Sequence, residues 1–187
     1  MRRFEAMGHI MEAVTDELLI CNIGHPAQEL FSFADRPENF YMLGSMGLAS
    51  SIGLGLAMSQ EKTVVVIDGD GAVAMNLGTL ATIGKVRPAN YVLIIIDNEA
   101  YGSTGFQWSF TAGNLRLDAV AQACGIESVT LIEREADIKP SLERLFGAAD
   151  GPNVLVIKTD PGMPEGIEII PIEGVAIRDR FMAAVKA

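Results

Sequence analysis

Asp70, Asn98 and Ala100 are the residues on which chemistry can be built. Asp70 lies in a Gly-Asp-Gly turn, Gly69 to Gly71, after an apolar run; Asn98 follows 28 positions later, at the end of a second apolar run. A carboxylate, a side-chain amide oxygen and a backbone carbonyl near Ala100 are three hard oxygen donors. Magnesium takes about six such donors and usually completes its shell from water and phosphate oxygens. The glycines let the backbone approach a phosphate, and a helix beginning near Ala72 turns free N–H groups toward it. The chemistry implied is a metal-bridged diphosphate. On these residues alone a second reading stands, in which the glycines shape a strand-to-helix turn and Asn98 caps a helix.

The two turns meet only if the apolar runs are strands of one parallel sheet, whose carboxyl ends share an edge and whose ligands lie in the crevice beyond it. Thr63 to Asp68 and Tyr91 to Asp97 are continuous rather than alternating apolar runs, as in strands covered on both faces. The spacing predicts one crossover helix between them, Val73 to Ile83. Upstream, Phe4, Met7, Ile10, Met11 and Val14 recur at helical spacing, and Glu17 to Asn22 is the first predicted strand, ending in a turn at Asn22 to Pro26.

Phe40 to Gln60 is uncharged over 21 positions, but four glycines and four serines make it too polar for a membrane span. It reads as a turn, Leu43 to Gly47, and a helix whose Ala49, Gly53 and Ala57 form a small-residue stripe suited to a subunit contact. After Trp108 the pattern is that of scaffold: helix Leu117 to Cys124, strand Ser128 to Ile132, helix Glu135 to Phe146 and strand Asn153 to Thr159. An extended connection, Asp160 to Pro171, leads to a C-terminal helix offering Val175, Ile177, Phe181 and Val185 for packing. The expected fold is α/β, a three-layer, mainly parallel sheet with helices on both faces, residues 1–187 forming one domain.

Composition narrows the partners. A net charge of −10 and a pI near 4.6 argue against nucleic acid or an anionic membrane surface, so an anionic ligand must be held locally by metal and backbone N–H groups. A mean hydropathy of +0.29 is high for a chain of this size and points to apolar surface covered by other subunits. Cys21 and Cys124 match no metal spacing; with no signal peptide in view they read as buried, reduced thiols of a cytoplasmic protein.

The wording GDGAVAMNLGTLATIG, followed by IDNEAYGSTGFQ, resembles the cofactor motif of thiamine-diphosphate enzymes, and in particular the sulfopyruvate and phosphonopyruvate decarboxylases. The resemblance implies thiamine diphosphate and Mg2+ as cofactors, with Asp70, Asn98 and the Ala100 carbonyl on the metal. Gly69, Gly71 and Ala72 would cradle the diphosphate; Gly24, His25, Ser45, Met46, Tyr101 and Gly102 complete the implied cofactor set. Met46 takes the place of the bulky residue that bends the cofactor. Ser103, Thr104 and Gln107 resemble the family's STGxQ signature and are implied to meet the anionic substrate or the cofactor. Four residues depart from the pattern. Ala27 and Gln28 stand where a serine and a basic residue are usual, and Glu99 and Phe106 replace glycines. A positive φ at position 99 would strain the metal turn, and Phe106 is expected to narrow the substrate pocket.

Enzymes of this class hold the cofactor between two similar domains. The chain resembles the diphosphate domain along nearly its whole length. The implied arrangement is a hetero-oligomer in which a pyrimidine-binding (alpha) subunit brings the activating glutamate. The implied reaction is decarboxylation of a small anionic 2-oxo acid, with sulfopyruvate favoured over phosphonopyruvate because the subunits are separate. A 2-oxo acid:ferredoxin oxidoreductase is disfavoured by the shortage of cysteine, and a non-catalytic cofactor-binding or regulatory subunit is the reading from another class.

Overall fold

The computed structural model describes residues 1–147, 151–162 and 165–186. In chain order its principal elements are α1 (Arg3–Ala13), β1 (Leu18–Cys21), α2 (His25–Phe33), β2 (Asn39–Tyr41), α3 (Ala49–Ala57), β3 (Val64–Gly69), α4 (Asp70–Met75), α5 (Gly78–Val86) and β4 (Tyr91–Asp97). A small hairpin follows, β5 (Ala100–Tyr101) with β6 (Gln107–Trp108), then α6 (Leu117–Ala123), β7 (Ser128–Ile132), α7 (Ile138–Gly147), β8 (Asn153–Lys158) and α8 (Gly174–Lys186). The main sheet runs β2-β1-β3-β4-β8-β7, with every neighbouring pair parallel. The expected three-layer α/β fold is therefore present.

Continuous apolar strands follow from burial on both sides. Leu19, Val65, Ile67, Ile94 and Ile96 face a core completed by α1, α2 and α7; Leu18, Val64, Val66, Leu93 and Ile95 face one completed by α3, α5 and α6. At the β2 edge, α8 sends Ile177 into the first core and Phe181 into the second.

Several sequence expectations change. The single crossover helix is two, α4 and α5. Asn76 leaves helical geometry at φ −138°, and its side-chain amide donates to the Gly47 carbonyl at 3.0 Å and to Ser51 Oγ at 3.2 Å. The break thus ties the segment after Asp70 to the turn preceding α3. Ala49, Gly53 and Ala57 are buried within the chain, not against another subunit: a Cβ at Gly53 would stand 2.2 Å from Val66 Cγ2, so the stripe seats α3 on β3. A 3₁₀ turn, Glu135–Asp137, precedes α7, whose Pro140 falls in the first turn, where no N–H is needed. Cys124 is half-buried, and Val175 is exposed rather than packed. Of the extended connection, residues 163–164, Pro164 included, lie outside the described residues. No helix among the described residues is long and apolar enough to cross a membrane.

Candidate functional site

Adjacent β3 and β4, in parallel register with Gly69 opposite Ile96, deliver Asp70 and Asn98 to the same sheet edge. Asp70 is buried at the start of α4. Its Oδ2 accepts hydrogen bonds from Ser109 Oγ and from Thr111 Oγ1, the latter at 2.9 Å. That leaves Oδ1 toward Asn98. The Asn98 side-chain oxygen has one long contact with a donor, the Ala100 N–H at 3.4 Å, and otherwise faces acceptors; turned over, its amide nitrogen would donate to Asp70 Oδ1 at 3.1 Å and to the Ala100 carbonyl at 2.9 Å. Oxygen-inward, the three groups form a cluster of lone pairs that a cation would stabilise; nitrogen-inward, they satisfy one another without it. Cis ligands on a magnesium octahedron stand about 2.9 Å apart, so the donor set fits Mg2+ in type and spacing. Burial, reinforced by the Asp97 carboxylate, raises the Asp70 pKa against the Ser109 and Thr111 hydrogen bonds that lower it. A cation beside Asp70 would favour its charged form.

The turn after Asn98 is left-handed at Glu99, φ 58°, the conformation for which a glycine is suited. Phe106, the other glycine replacement, also sits at φ 58°. Such a conformation costs an ordinary residue roughly 1–2 kcal/mol. Glu99 is anchored: its carboxylate pairs with Lys158, and its carbonyl accepts from the Ser109 N–H at 2.8 Å.

A cleft opens at this edge, lined by Asn22, His25, Met46, Gly69, Asp70, Gly71, Ala72, Asn98, Ala100, Tyr101, Gly102, Ser103 and Thr104, with Arg3, Ile23, Pro26 and Ile96 completing it. Gly71 and Ala72 stand in the first turn of α4, where backbone N–H groups have no intrahelical acceptor. Gly71 has a second duty: a Cβ there would meet the Tyr101 ring at 2.4 Å, so its absence lets the ring lie over the turn. Gly24, at φ 80°, opens α2 behind Ser103, whose Oγ would be 2.7 Å from a Cβ. Burial and the positive charge of Arg3 lower the His25 pKa, keeping the imidazole neutral near pH 7.

Some expected residues lie elsewhere. Ser45, at φ 58°, is exposed and outside the cleft. Gln107 is exposed and braces the loop, accepting from Thr104 Oγ1 at 2.8 Å and donating to the Thr104 carbonyl at 2.7 Å. Phe106 does not line the cleft; its ring is 6.4 Å from that of His25. The expectation that it narrows the pocket is not met within this chain.

Ser109 and Thr111, placed by sequence in routine scaffold, are instead the hydroxyls that hold Asp70; two such residues just after the STGFQ loop were the available signal. Arg3 pairs with the fully buried Glu29 at 2.6 and 2.9 Å. That contact joins α1 to α2, 26 residues away, and leaves no local sequence signature. Asn22, read only as a turn residue, contributes a buried Oδ1 at the cleft wall that has no partner among the described residues.

Comparison with known proteins agrees with this arrangement. Residues 22–157 match the family described as "Thiamine pyrophosphate enzyme, C-terminal TPP binding domain". The chain is 47% identical over 189 residues to the sulfopyruvate decarboxylase subunit beta of Methanocaldococcus jannaschii, covering 99% of this chain and 97% of that one. It is 36% identical over 176 residues to the phosphonopyruvate decarboxylase of Streptomyces viridochromogenes, covering 94% of this chain but 44% of that protein. A solved putative thiamin diphosphate-dependent enzyme from Mycobacterium smegmatis shares the fold, with a TM-score of 0.71 and 21% identity, over 87% of this chain and 32% of that one. The parallel sheet, the Asp70 and Asn98 turns at its edge and these matches together assign the chain to the thiamine pyrophosphate enzyme family, of which it carries the cofactor-binding domain.

Proposed function

We propose that the chain is the diphosphate- and magnesium-binding subunit of a thiamine-diphosphate-dependent decarboxylase, a single domain that acts with a pyrimidine-binding (alpha) subunit on 3-sulfopyruvate. The products are sulfoacetaldehyde and CO2. The observation that carries this reading is the convergence of Asp70, Asn98 and Ala100 in the cleft of a chain near half-identical, end to end, to sulfopyruvate decarboxylase beta subunits. Bound thiamine diphosphate supplies an electron sink for the pair left behind when CO2 departs.

Each residue then has a task. Asp70, Asn98 and the Ala100 carbonyl hold magnesium, and the Gly69–Ala72 turn and Gly24 receive the diphosphate. Met46, half-buried in the cleft, supports the bent cofactor. Ser103 presents its hydroxyl to the anionic end of the substrate, while Gln107 accepts the Thr104 hydroxyl proton and keeps the loop in shape, so Thr104 meets an anion only if that bond opens. Glu29 is paired with Arg3 and Glu99 with Lys158, which supports assigning the activating glutamate to the partner.

Two further features favour a partner across the cleft. The cleft encloses about 140 Å3, whereas sites for whole small molecules hold roughly 300–1,000 Å3. Leu48, Ile52 and Met75, on and beside α3 and α4, are exposed, as are Trp108 and Phe110 after the loop. Free thiols at Cys21 and Cys124 suit a cytoplasmic setting. Phosphonopyruvate is the second reading, supported by the likeness to its decarboxylases. The test is CO2 release from a panel of 2-oxo acids by the subunit co-expressed with its partner. A kcat/KM at least tenfold higher for sulfopyruvate supports the assignment; preference for phosphonopyruvate replaces the substrate, and inactivity toward all 2-oxo acids refutes the enzyme.

A further inference from the structure

We propose that Lys158 is a positioning residue for the metal turn, engaging the two carboxylates that flank Asn98 so that Asp70 is the one left to meet the cation. The inference rests on the reading of this cleft as a magnesium-diphosphate site.

Asn98 lies between Asp97 and Glu99, so three carboxylates, with Asp70, converge on one turn. Each is a competent ligand for a divalent cation, and a turn offering all three would not define one coordination set. Sheet register settles the competition. Lys158, the last residue of β8, is the registered neighbour of Asp97 on β4. Its Nζ donates to Asp97 Oδ2 at 3.1 Å and also pairs with the Glu99 carboxylate. Neither Lys158 nor Glu99 lines the cleft, so the amine acts through its neighbours.

The grip extends to Asp70. Asp97 Oδ1 accepts from the Glu99 N–H at 3.2 Å and from Thr111 Oγ1 at 2.7 Å. Thr111 Oγ1 is also 2.9 Å from Asp70 Oδ2, yet carries a single proton to share between the two acids. With Lys158 charged and paired, Asp97 makes a smaller demand on that proton. Without Lys158, Asp97 becomes a buried carboxylate with no cation, Glu99 loses the anchor on its left-handed backbone, and both Asn98 and Asp70 shift. Burial lowers the Lys158 pKa, but its bonds to Glu99 and Asp97 more than offset this and raise it, so the amine is charged throughout the working range.

A merely structural ion pair would lower stability and leave magnesium dependence alone. The experiment is therefore calorimetric titration of thiamine diphosphate into the co-expressed complex at a series of magnesium concentrations, alongside the thermal midpoint without cofactor. Loss of a partner bonded directly to a metal ligand costs about 10–100-fold in metal affinity, and Lys158 stands one residue further back, so the lower end of that range bounds its effect. Lys158→Met is expected to raise half-saturating magnesium about tenfold, with Lys158→Arg restoring most of it and Lys158→Met/Glu99→Gln no worse than Lys158→Met. Glu99→Gln, at a partly exposed side chain, carries the same test if Lys158→Met fails to fold, with a rise of about threefold expected from the lost charge-assisted bond. Unchanged magnesium dependence in the folded variants, with only a lower thermal midpoint, overturns the inference. Absence of magnesium-dependent binding in the wild-type complex overturns the reading of the site, and the inference with it.

Discussion

Gly71 and the ring of Tyr101 are in a relationship that admits no side chain: a Cβ on Gly71 would stand 2.4 Å from Tyr101 Cε1 and 2.9 Å from Cδ1. The Gly-Asp-Gly turn and the loop after Asn98 are thus packed together as one wall. Gly71→Ala must push the ring away and disturb both. Thiamine diphosphate affinity is expected to fall about tenfold, or about 1.4 kcal/mol. Tyr101→Ala in the same chain should recover part of it. Calorimetry on the wild type, single and double variants checks this, and equal losses in the Gly71 single and the double would contradict it.

Asp68 gives a pH signature distinct from the site's own. It is fully buried, and burial raises its pKa from 3.8 to about 7, against the hydrogen bonding of Gly69 and Ser50 that lowers it. Between about pH 4 and 7 the folded chain keeps a proton that the unfolded chain has released, so this group's contribution to stability falls as pH rises across that window and is flat above it. The full shift corresponds to about 4 kcal/mol. Urea unfolding of wild type and Asp68→Asn through that range should show the decline in wild type and a flatter profile in the variant. Parallel profiles would show that Asp68 ionises at an ordinary pH.

Met46 tests the division of labour within the cleft. A residue that shapes the bound cofactor acts on the reaction more than on affinity. Met46→Ala is expected to lower kcat at least tenfold while magnesium-dependent cofactor binding changes by less than about threefold. A large loss of binding with kcat intact at saturating cofactor would make Met46 a simple contact.

The legible part of this chain was the part written in local pattern. Unbroken apolar runs at Val64 and Tyr91 gave the buried parallel strands, and two polar turns at their ends gave the shared edge. The positive φ at Glu99 was foreseeable only through the family resemblance, which puts a glycine at that position. What was hidden depends on distant partners. Lys158 reads as the unremarkable end of a strand until register places it beside Asp97. Ser109 and Thr111 look like loop residues until the β5–β6 hairpin folds them back onto Asp70. The small-residue stripe at Ala49, Gly53 and Ala57 correctly signalled close packing, but period alone names no partner, and the partner is Val66 of the same chain. The helix break at Asn76 was missed because its apolar neighbours continue the helical period. Bonds from its side chain to Gly47 and Ser51 decide the geometry.

If Asp70, Asn98 and Ala100 hold magnesium for a diphosphate cofactor, cofactor binding must depend on both the metal and the Asp70 carboxylate. The most direct measurement is calorimetric binding of thiamine diphosphate to the co-expressed complex, with and without magnesium, comparing wild type with Asp70→Ala. Tight binding that requires magnesium and is lost in the variant is expected, with folding of both confirmed by circular dichroism. Binding that ignores magnesium, or survives in Asp70→Ala, would contradict that assignment.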